Sequence, residues 1–401
     1  MNVVNDAGET PRVVPLVVHL VYRLDFGGLE NLMVERINRM PSDAYRHAVV
    51  ALTECTDFAR RITKPGVALH ALHKQPGISL VTHAALWKLL RALKPAVLHT
   101  YNLAAVEYAL VALLAGVPVR INGAHGRDAR DPDGSNPRHR LLRRLTLPFY
   151  DCCYGNSADL VAWNRHVIGV PEHKSRLLGN GIDTEKFHPP GGVDARTLSG
   201  FGNDCIVIGT VGRIQDVKDH GALVDAFILL RDRLPAQRAQ LRLAIIGEGP
   251  LLAGLRAKVE AAGLTGQIWL PGARSDVAEI LRELDIFAMS SLAEGTPGSA
   301  LEAMASALPV VGTRVGGMPE VIDAGVTGAL VAPADPDAMA TALAAYVLDA
   351  PLRARHGAAG RERILRKYNM PAMVAAYQSM YDTLCERKTK LGRPTKPCVE
   401  S

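Results

Sequence analysis

Two carboxylates eight residues apart, Glu294 and Glu302, flank a Gly/Pro/Ser turn in "EGTPGSALEAMASALPV" (294–310). A turn has no need of the first, and a helix start uses the second only as a cap. Ser299 and Glu302 have the S-x-x-E spacing of a capping box, which is the structural reading of Glu302. The chemical reading uses the same geometry. Free amides of Gly298, Ser299 and Ala300 suit a phosphate, Glu302 suits a ribose hydroxyl pair, and Glu294 suits the hydroxyls of a sugar. With no structural reason of its own beyond a solvated loop, Glu294 is the stronger functional candidate of the two.

A second cluster stands upstream in "TVGRIQDVKDH" (210–220), where Arg213 and Lys218 follow a strand and a Gly turn. Two cations at a strand's carboxyl end suit a diphosphate; an ordinary loop with solvated basic residues fits the segment equally well. "IIGEGPLL" (245–252) offers Gly247 and Gly249 as a G-x-G after a strand. Leu252 stands where a dinucleotide fingerprint needs its third glycine, which argues against a nicotinamide or flavin cofactor. Two D-x-D triplets occur. Asp131 and Asp133 lie in a Gly/Ser turn, while Asp335 and Asp337 open a helix, where acids suit the dipole, so neither is assigned to a metal. The six cysteines form no C-x-x-C pair, against a zinc site or a disulfide scaffold and in favour of a reducing compartment.

The elements that must position these residues alternate along the chain. Strands are predicted at 13–22, 47–52, 67–72, 96–100, 118–122, 153–157 and 175–181. They are predicted again at 205–212, 241–247, 267–272, 284–290, 309–313 and 329–333. Continuous apolar strands separated by helical periods predict parallel sheets covered on both faces. The Pro/Gly-rich "FHPPGGVDARTLSGFGND" (187–204) divides the series, giving an α/β chain of two doubly wound domains with a cleft between them. Ligands of such sheets sit beyond the strands' carboxyl ends. The expected division is 1–190, a linker at 191–204, 205–365, a helix at 366–386 packing back on the first domain, and a basic, disordered tail at 387–401.

With 401 residues, 48% hydrophobic, the chain can bury real cores; its net charge of +6 suits anionic ligands or surfaces. The polar opening "MNVVNDAGET" has no apolar leader pattern, so a cytoplasmic protein is expected. In "NPRHRLLRRLTLPFY" (136–150) four arginines stand beside four leucines. Two readings stand: a helix resting on anionic lipid of the inner membrane or on a lipid-diphosphate acceptor, and a half-buried helix with a solvated basic face. Aromatics are 5% and none interleave with this run, which argues against nucleic acid.

"E-G-x-x-G-x-x-x-E-A-M-A", with "G-R-x-x-x-x-K" about eighty residues upstream, resembles the retaining glycosyltransferases of family 4, which have the GT-B fold. "VGTRVGGMPEVI" (311–322) and "DFGGLENLMVERINRMP" (25–41) continue the likeness, which covers about residues 13–385. "YRLDFGGLENLM", "HTYNLAAVEYAL" and "GAHGRDARDPDGSN" further resemble sugar transferases linked to bacterial exopolysaccharide and PEP-CTERM/exosortase systems.

The resemblance implies a metal-independent transfer from a UDP- or GDP-sugar to a glycan or lipid-linked acceptor. Arg213 and Lys218 would hold the donor diphosphate and stabilise it as it leaves, Glu302 would bind the ribose, and Glu294 would lie against the transferred sugar. Gly27 and Gly28 lie in the loop after the first strand, and Gly28 would let that loop approach the β-phosphate. His125 would contact the sugar; a loop histidine with a local hydrogen bond is its other reading. The loops at Gly247–Pro250 and Gly272–Arg274 would face the base. Asp219 stands where many members have Gly, and Thr296 and Pro297 replace a frequent aromatic-Gly pair, which leaves the donor sugar open. The implied front-face mechanism, in which the leaving phosphate takes the acceptor's proton, assigns no general base. A nucleotide-sugar epimerase of the same fold and a non-catalytic nucleotide-sugar-binding protein are the alternatives.

Overall fold

The computed structural model describes residues 14–77, 79–127, 131, 133–191 and 196–390. Parts of the expected linker and the tail beyond Lys390, together with residues 128–130 and Pro132 of the first D-x-D triplet, lie outside them. The chain forms two units. One contains the described residues up to Leu178 together with those from Met373; the other is Gly179–Ala372.

The first unit holds seven strands: β1 (Leu16–Val21), β2 (Arg46–Ala51), β3 (Ala68–Ala71), β4 (Val97–Tyr101), β5 (Val119–Ala124), β6 (Cys152–Gly155) and β7 (Ser175–Leu177). All pair in parallel in the order β3-β2-β1-β4-β5-β6-β7. Every residue of β1, "LVVHLV", is buried, because a central parallel strand is covered on both faces. Its helices are α1 (Gly28–Arg39), α2 (Leu80–Leu93), α3 (Ala109–Leu114), α4 (Pro137–Thr146) and α5 (Ala158–Trp163). Ser79 opens α2 by accepting from the amide of Thr82 at 3.3 Å.

The second unit holds β8 (Ile206–Val211), β9 (Leu241–Ile246), β10 (Ile268–Gly272), β11 (Ile286–Met289), β12 (Val310–Thr313) and β13 (Gly328–Val331). Their order is β10-β9-β8-β11-β12-β13, again parallel. Helices α6 (His220–Arg233), α7 (Leu252–Ala261), α8 (Val277–Arg282), α9 (Gly298–Ala305), α10 (Met318–Val321), α11 (Pro336–Leu348) and α12 (Ala350–Lys367) cover it. Separate apolar clusters fill the two faces, one around Phe287 and Met304 and one around Phe227 and Leu343. In both sheets the chain reverses its winding at the first strand, beside β1 and beside β8, which opens a crevice at that strand's carboxyl end.

The last helix, α13 (Met370–Lys390), belongs to the first unit from Met373 onward. Tyr45 donates to Asp382 at 2.6 Å, and Lys388 pairs with Asp151. Residues 387–390, expected in a disordered tail, therefore continue a helix, because a buried ion pair holds its last turn. Among the described residues no helix is long and apolar enough to cross a membrane.

Candidate functional site

In the second unit, three loops at the carboxyl ends of β8, β11 and β12 converge. After β8, Gly212 and Arg213 lead into a single turn, Asp216–Lys218. Asp219 ends it in the left-handed region, φ 45°, which explains why glycine suits this place. Asp219 also caps α6, its carboxylate accepting from the amide of Ala222 at 3.2 Å. The aspartate thus exchanges glycine's freedom for a capping bond.

Lys218 Nζ donates to the carboxylate of Glu294, 76 residues away. Ser291 Oγ donates to the same oxygen at 2.6 Å. The Glu294 side chain is 9% exposed and that of Lys218 20%. This corrects the expectation that Glu294 has no structural reason: it is the counter-charge of a largely buried lysine. The surrounding backbone fixes the pair. Ser290 Oγ donates to the Lys218 carbonyl at 2.9 Å, and the Leu292 amide donates to Val217 O at 2.8 Å. On the other side a Cβ added to Gly316 would lie 1.8 Å from Glu294 O, and the Gly317 amide reaches Gly295 O at 3.2 Å.

The capping box is not formed. Helix α9 begins two residues earlier than the box requires, at Gly298, with Pro297 as its N-cap and no side chain capping it. Ser299 is therefore already helical and cannot adopt the extended N-cap conformation. Helix geometry leaves the amides of Gly298, Ser299 and Ala300 without intrahelical acceptors. Glu302 is half-buried one turn further on. The loop before α9 is pinned by the buried Asn180, whose amide donates to Thr296 O at 3.0 Å. Asn180 escaped the sequence reading; a polar residue between two glycines in "GNG" was its signal.

Gly247 and Gly249 pack directly against neighbouring backbone. A Cβ on Gly247 would lie 1.9 Å from Gly212 O, and one on Gly249 2.2 Å from Ile214 O. The two loops interlock through Ile214 N to Glu248 O (2.8 Å) and Leu251 N to Ile214 O (3.2 Å). The glycines thus set the position of the Arg213 loop. Gly247→Ala is expected to lose about 3 kcal/mol or more of stability, since backbone itself must move. Chemical denaturation checks this; an unchanged midpoint would refute it. Arg274 is held by Asp276, Nε to Oδ1 2.8 Å, and lies 5.7 Å from the centre of the Trp269 ring. The acids of the D-x-D triplets hold local structure: Asp131 accepts from the amide of Asn136 at 3.0 Å, and Asp335 caps α11 through Ala338 N at 2.9 Å.

The other candidates lie at the carboxyl edge of the first unit's sheet. Gly27 is the N-cap of α1, in extended conformation, and no side chain caps that helix. A Cβ on Gly28 would meet nothing within 4 Å, so the fold leaves this glycine's surroundings open. His125 follows β5. Its amide donates to Asn102 Oδ1 at 2.9 Å, and its Nε2 is 2.9 Å from the Tyr154 hydroxyl. Its Nδ1 is buried with no hydrogen-bond partner among the described residues. Burial, and then the charge of Arg36, push its pKa down to about 3, so the imidazole is neutral at physiological pH.

Behind His125 runs a buried polar chain that sequence reasoning missed. Tyr154 OH also meets His99 Nε2 at 2.9 Å, and His99 Nδ1 meets Tyr381 OH at 2.8 Å. His19 bridges Tyr101 OH at 2.8 Å and His47 Nδ1 at 3.0 Å. Arg36 donates to Tyr101 OH, and its guanidinium lies 3.9 Å from the centre of the Tyr377 ring. The signal was one histidine in each of three central strands, "VVHLV", "RHAVV" and "AVLHT".

Known proteins resemble both units. The family description "Glycosyltransferase Family 4" matches residues 26–186, and "Glycosyl transferases group 1" matches 205–349. EpsF of Bacillus subtilis is 31% identical over 54% of this chain and 56% of its own length. The lipopolysaccharide core biosynthesis mannosyltransferase LpsB of Rhizobium meliloti is 32% identical over 62% of this chain and 70% of its own. For the D-inositol 3-phosphate glycosyltransferase of Actinosynnema mirum the identity is 35%, over 50% of each chain. The chain thus spans between about half and 70% of these relatives. Among solved structures, HepE of Anabaena in complex with UDP-glucose superposes with a TM-score of 0.79 at 17% identity, covering 92% of this chain and 100% of that one. The sucrose-phosphate synthase of Thermosynechococcus elongatus gives 0.78 at 18% identity, covering 93% and 100%. At such identities the likeness is one of fold, that of the two-domain GT-B proteins.

Proposed function

As this chain belongs to the family 4 glycosyltransferases, we propose that it transfers a sugar from a UDP- or GDP-sugar to a glycan or lipid-linked acceptor with retained anomeric configuration. The observation that carries this reading is the convergence of Lys218, Glu294 and the uncapped start of α9 at the carboxyl ends of β8 and β11. A diphosphate entering there would meet Lys218, Arg213 and the amides of residues 298–300, cations and dipoles placed where negative charge develops on the leaving group. That arrangement supplies the leaving-group stabilisation a metal would otherwise give. Glu294 and Glu302 would take sugar and ribose hydroxyls. The loops at Gly247–Gly249 and Arg274 would face the base, whose identity we leave as uracil or guanine. HepE's complex with UDP-glucose supports a nucleotide-sugar donor.

From the first unit, Gly27 and Gly28 would border the β-phosphate. His125 would hold a sugar hydroxyl as a neutral partner, since its proton affinity is too low for a cationic role. The likeness of "YRLDFGGLENLM" and "GAHGRDARDPDGSN" to exopolysaccharide sugar transferases of PEP-CTERM systems supports a role in surface polysaccharide assembly at the cytoplasmic face of the inner membrane. Leu141 and Leu145 of the 136–150 segment are exposed and would face a lipid-linked acceptor. Arg143 is not part of that surface: it is buried, 5.3 Å from the Trp163 ring centre.

Incubation with a panel of UDP- and GDP-sugars tests the proposal. Release of nucleoside diphosphate that depends on a glycan or lipid-linked acceptor is the expected result. Isomerised donor without acceptor would make the protein an epimerase, and binding without turnover would make it a nucleotide-sugar-binding protein. Gly28→Ala sharpens the test. It should leave the melting temperature unchanged, because nothing in the fold touches the new methyl group, yet lower turnover at least tenfold. Unchanged turnover would remove Gly28 from the donor site.

A further inference from the structure

Three helices of the first unit, α2, α3 and α4, contain no aspartate or glutamate, whereas every other α-helix of the described chain contains at least one. Each of the three carries the chain in the same direction along the sheet, from β3 to β4, β4 to β5 and β5 to β6. Right-handed crossovers therefore place them on one face. They are neighbours there. The rings of His83 on α2 and Tyr108 at the start of α3 lie 4.7 Å apart, and α4 packs on the Val106–Tyr108 turn that leads into α3.

The outer side of this layer is apolar and basic at once. On α2, Leu80 and Val81 are each 80% exposed, and Trp87 is 41% exposed. On α3, Leu114 is 68% exposed, and on α4, Leu145 is 63% exposed. Among the described residues, eight of the 17 exposed large apolar side chains lie on these three helices. Exposed Lys88, Arg91 and Lys94 accompany them on and just after α2, and Arg138 and Arg144 on α4. The neighbouring acids are engaged elsewhere. Glu107 is half-buried and 4.0 Å from His83 Nε2, and Asp159 on α5 pairs with Arg127 at 2.8 Å.

We propose that this face rests on an anionic lipid bilayer. Projecting aliphatic side chains would enter the boundary between headgroups and acyl chains, while the basic residues meet lipid phosphates. A fluid surface requires no shape complementarity, so helices of unequal length can share it. The absence of carboxylates over three consecutive helices removes the repulsion that would oppose such contact. The proposal extends well beyond residues 136–150 and is independent of which donor or acceptor the protein uses.

Co-sedimentation of the full chain with vesicles tests it. Vesicles of phosphatidylglycerol and phosphatidylcholine should bind the protein at least tenfold more strongly than phosphatidylcholine alone, and high salt should release it. The pair Val81→Gln/Leu114→Gln and the pair Lys88→Glu/Arg91→Glu should each lower binding about tenfold, with melting temperature and vesicle-free turnover unchanged. Three results would overturn the proposal: no binding of the parent chain, binding of both paired variants as strong as the parent's, or a dimer in light scattering that Val81→Gln/Leu114→Gln dissociates. The last would assign the face to a second copy of the chain. Because sedimentation reads binding alone, its outcome does not depend on whether sugar transfer is found.

Discussion

Lys218→Ala is expected to lower turnover by about 10²- to 10³-fold, the usual consequence of removing one preorganised charge partner from a developing anion. It should also destabilise the second unit. The substitution leaves the Glu294 carboxylate, 9% exposed, without its counter-charge while the Ser291 hydroxyl still donates to it. Breaking a buried pair costs about 3–5 kcal/mol, and the partial exposure of Lys218 reduces this to roughly 2–3 kcal/mol. The two effects separate in the double variant Lys218→Met/Glu294→Gln, which removes both charges. Stability should largely return while turnover stays low, read by denaturant midpoint and steady-state kinetics. Restored turnover in the double variant would mean that the pair serves the fold alone. Near-normal turnover in Lys218→Ala would end its assignment to the leaving group.

A steep loss of stability below pH 6.5 is expected from the histidines of the first unit. His19 and His99 are held well below their ordinary pKa, each chiefly by burial. Like charges add to this, His47 first for His19 and Arg36 first for His99. His47 is pushed down to about 3, again by burial first. The sign follows directly. The folded protein keeps these rings neutral, while the unfolded chain protonates them below about 6.5. Their contribution is complete above pH 6.5 and is lost progressively as pH falls toward the folded values. Each ring can remove up to about 1.4 kcal/mol per pH unit, so three together approach about 4 kcal/mol per unit. That is a large part of a typical stability of about 5–15 kcal/mol. Melting temperature should therefore fall by about 10 °C between pH 7 and pH 5.5. Working above pH 5 keeps carboxylate titration, including that of the depressed Glu283, out of the window. His19→Asn should flatten the slope; a melting temperature constant across the window would refute the account.

The two α/β sheets were legible because parallel strands buried on both faces leave uninterrupted apolar runs. The thirteen predicted strands lie within a few residues of β1–β13. The closing helix was legible too, expected at 366–386 and found at Met370–Lys390. Pairings between distant segments were not. Glu294 read as a loop acid because nothing local shows that β11 lies beside β8, which brings Lys218 to it. Gly247 and Gly249 resembled a ligand cradle because a glycine forced by a neighbouring backbone looks the same in sequence as one forced by a phosphate. The spacing of Ser299 and Glu302 suggested a cap, but a two-residue shift of the helix start removed it. The histidines of β1, β2 and β4 were visible as letters, but their mutual bonding requires strand order and register, with His19 directly opposite His99.

The interlocked loops have a consequence for engineering donor preference. Gly247 and Gly249 fit against the backbone of residues 212–214, and Gly316 fits against that of Glu294. Four segments spread along the chain therefore form one mechanical part, in which none has a resting shape of its own. A loop transplanted singly from a relative with another specificity would arrive without the surface that moulds it. Exchange should succeed when the segments 210–219, 246–250, 290–297 and 313–317 travel as a cassette, and within this chain they are expected to vary in concert.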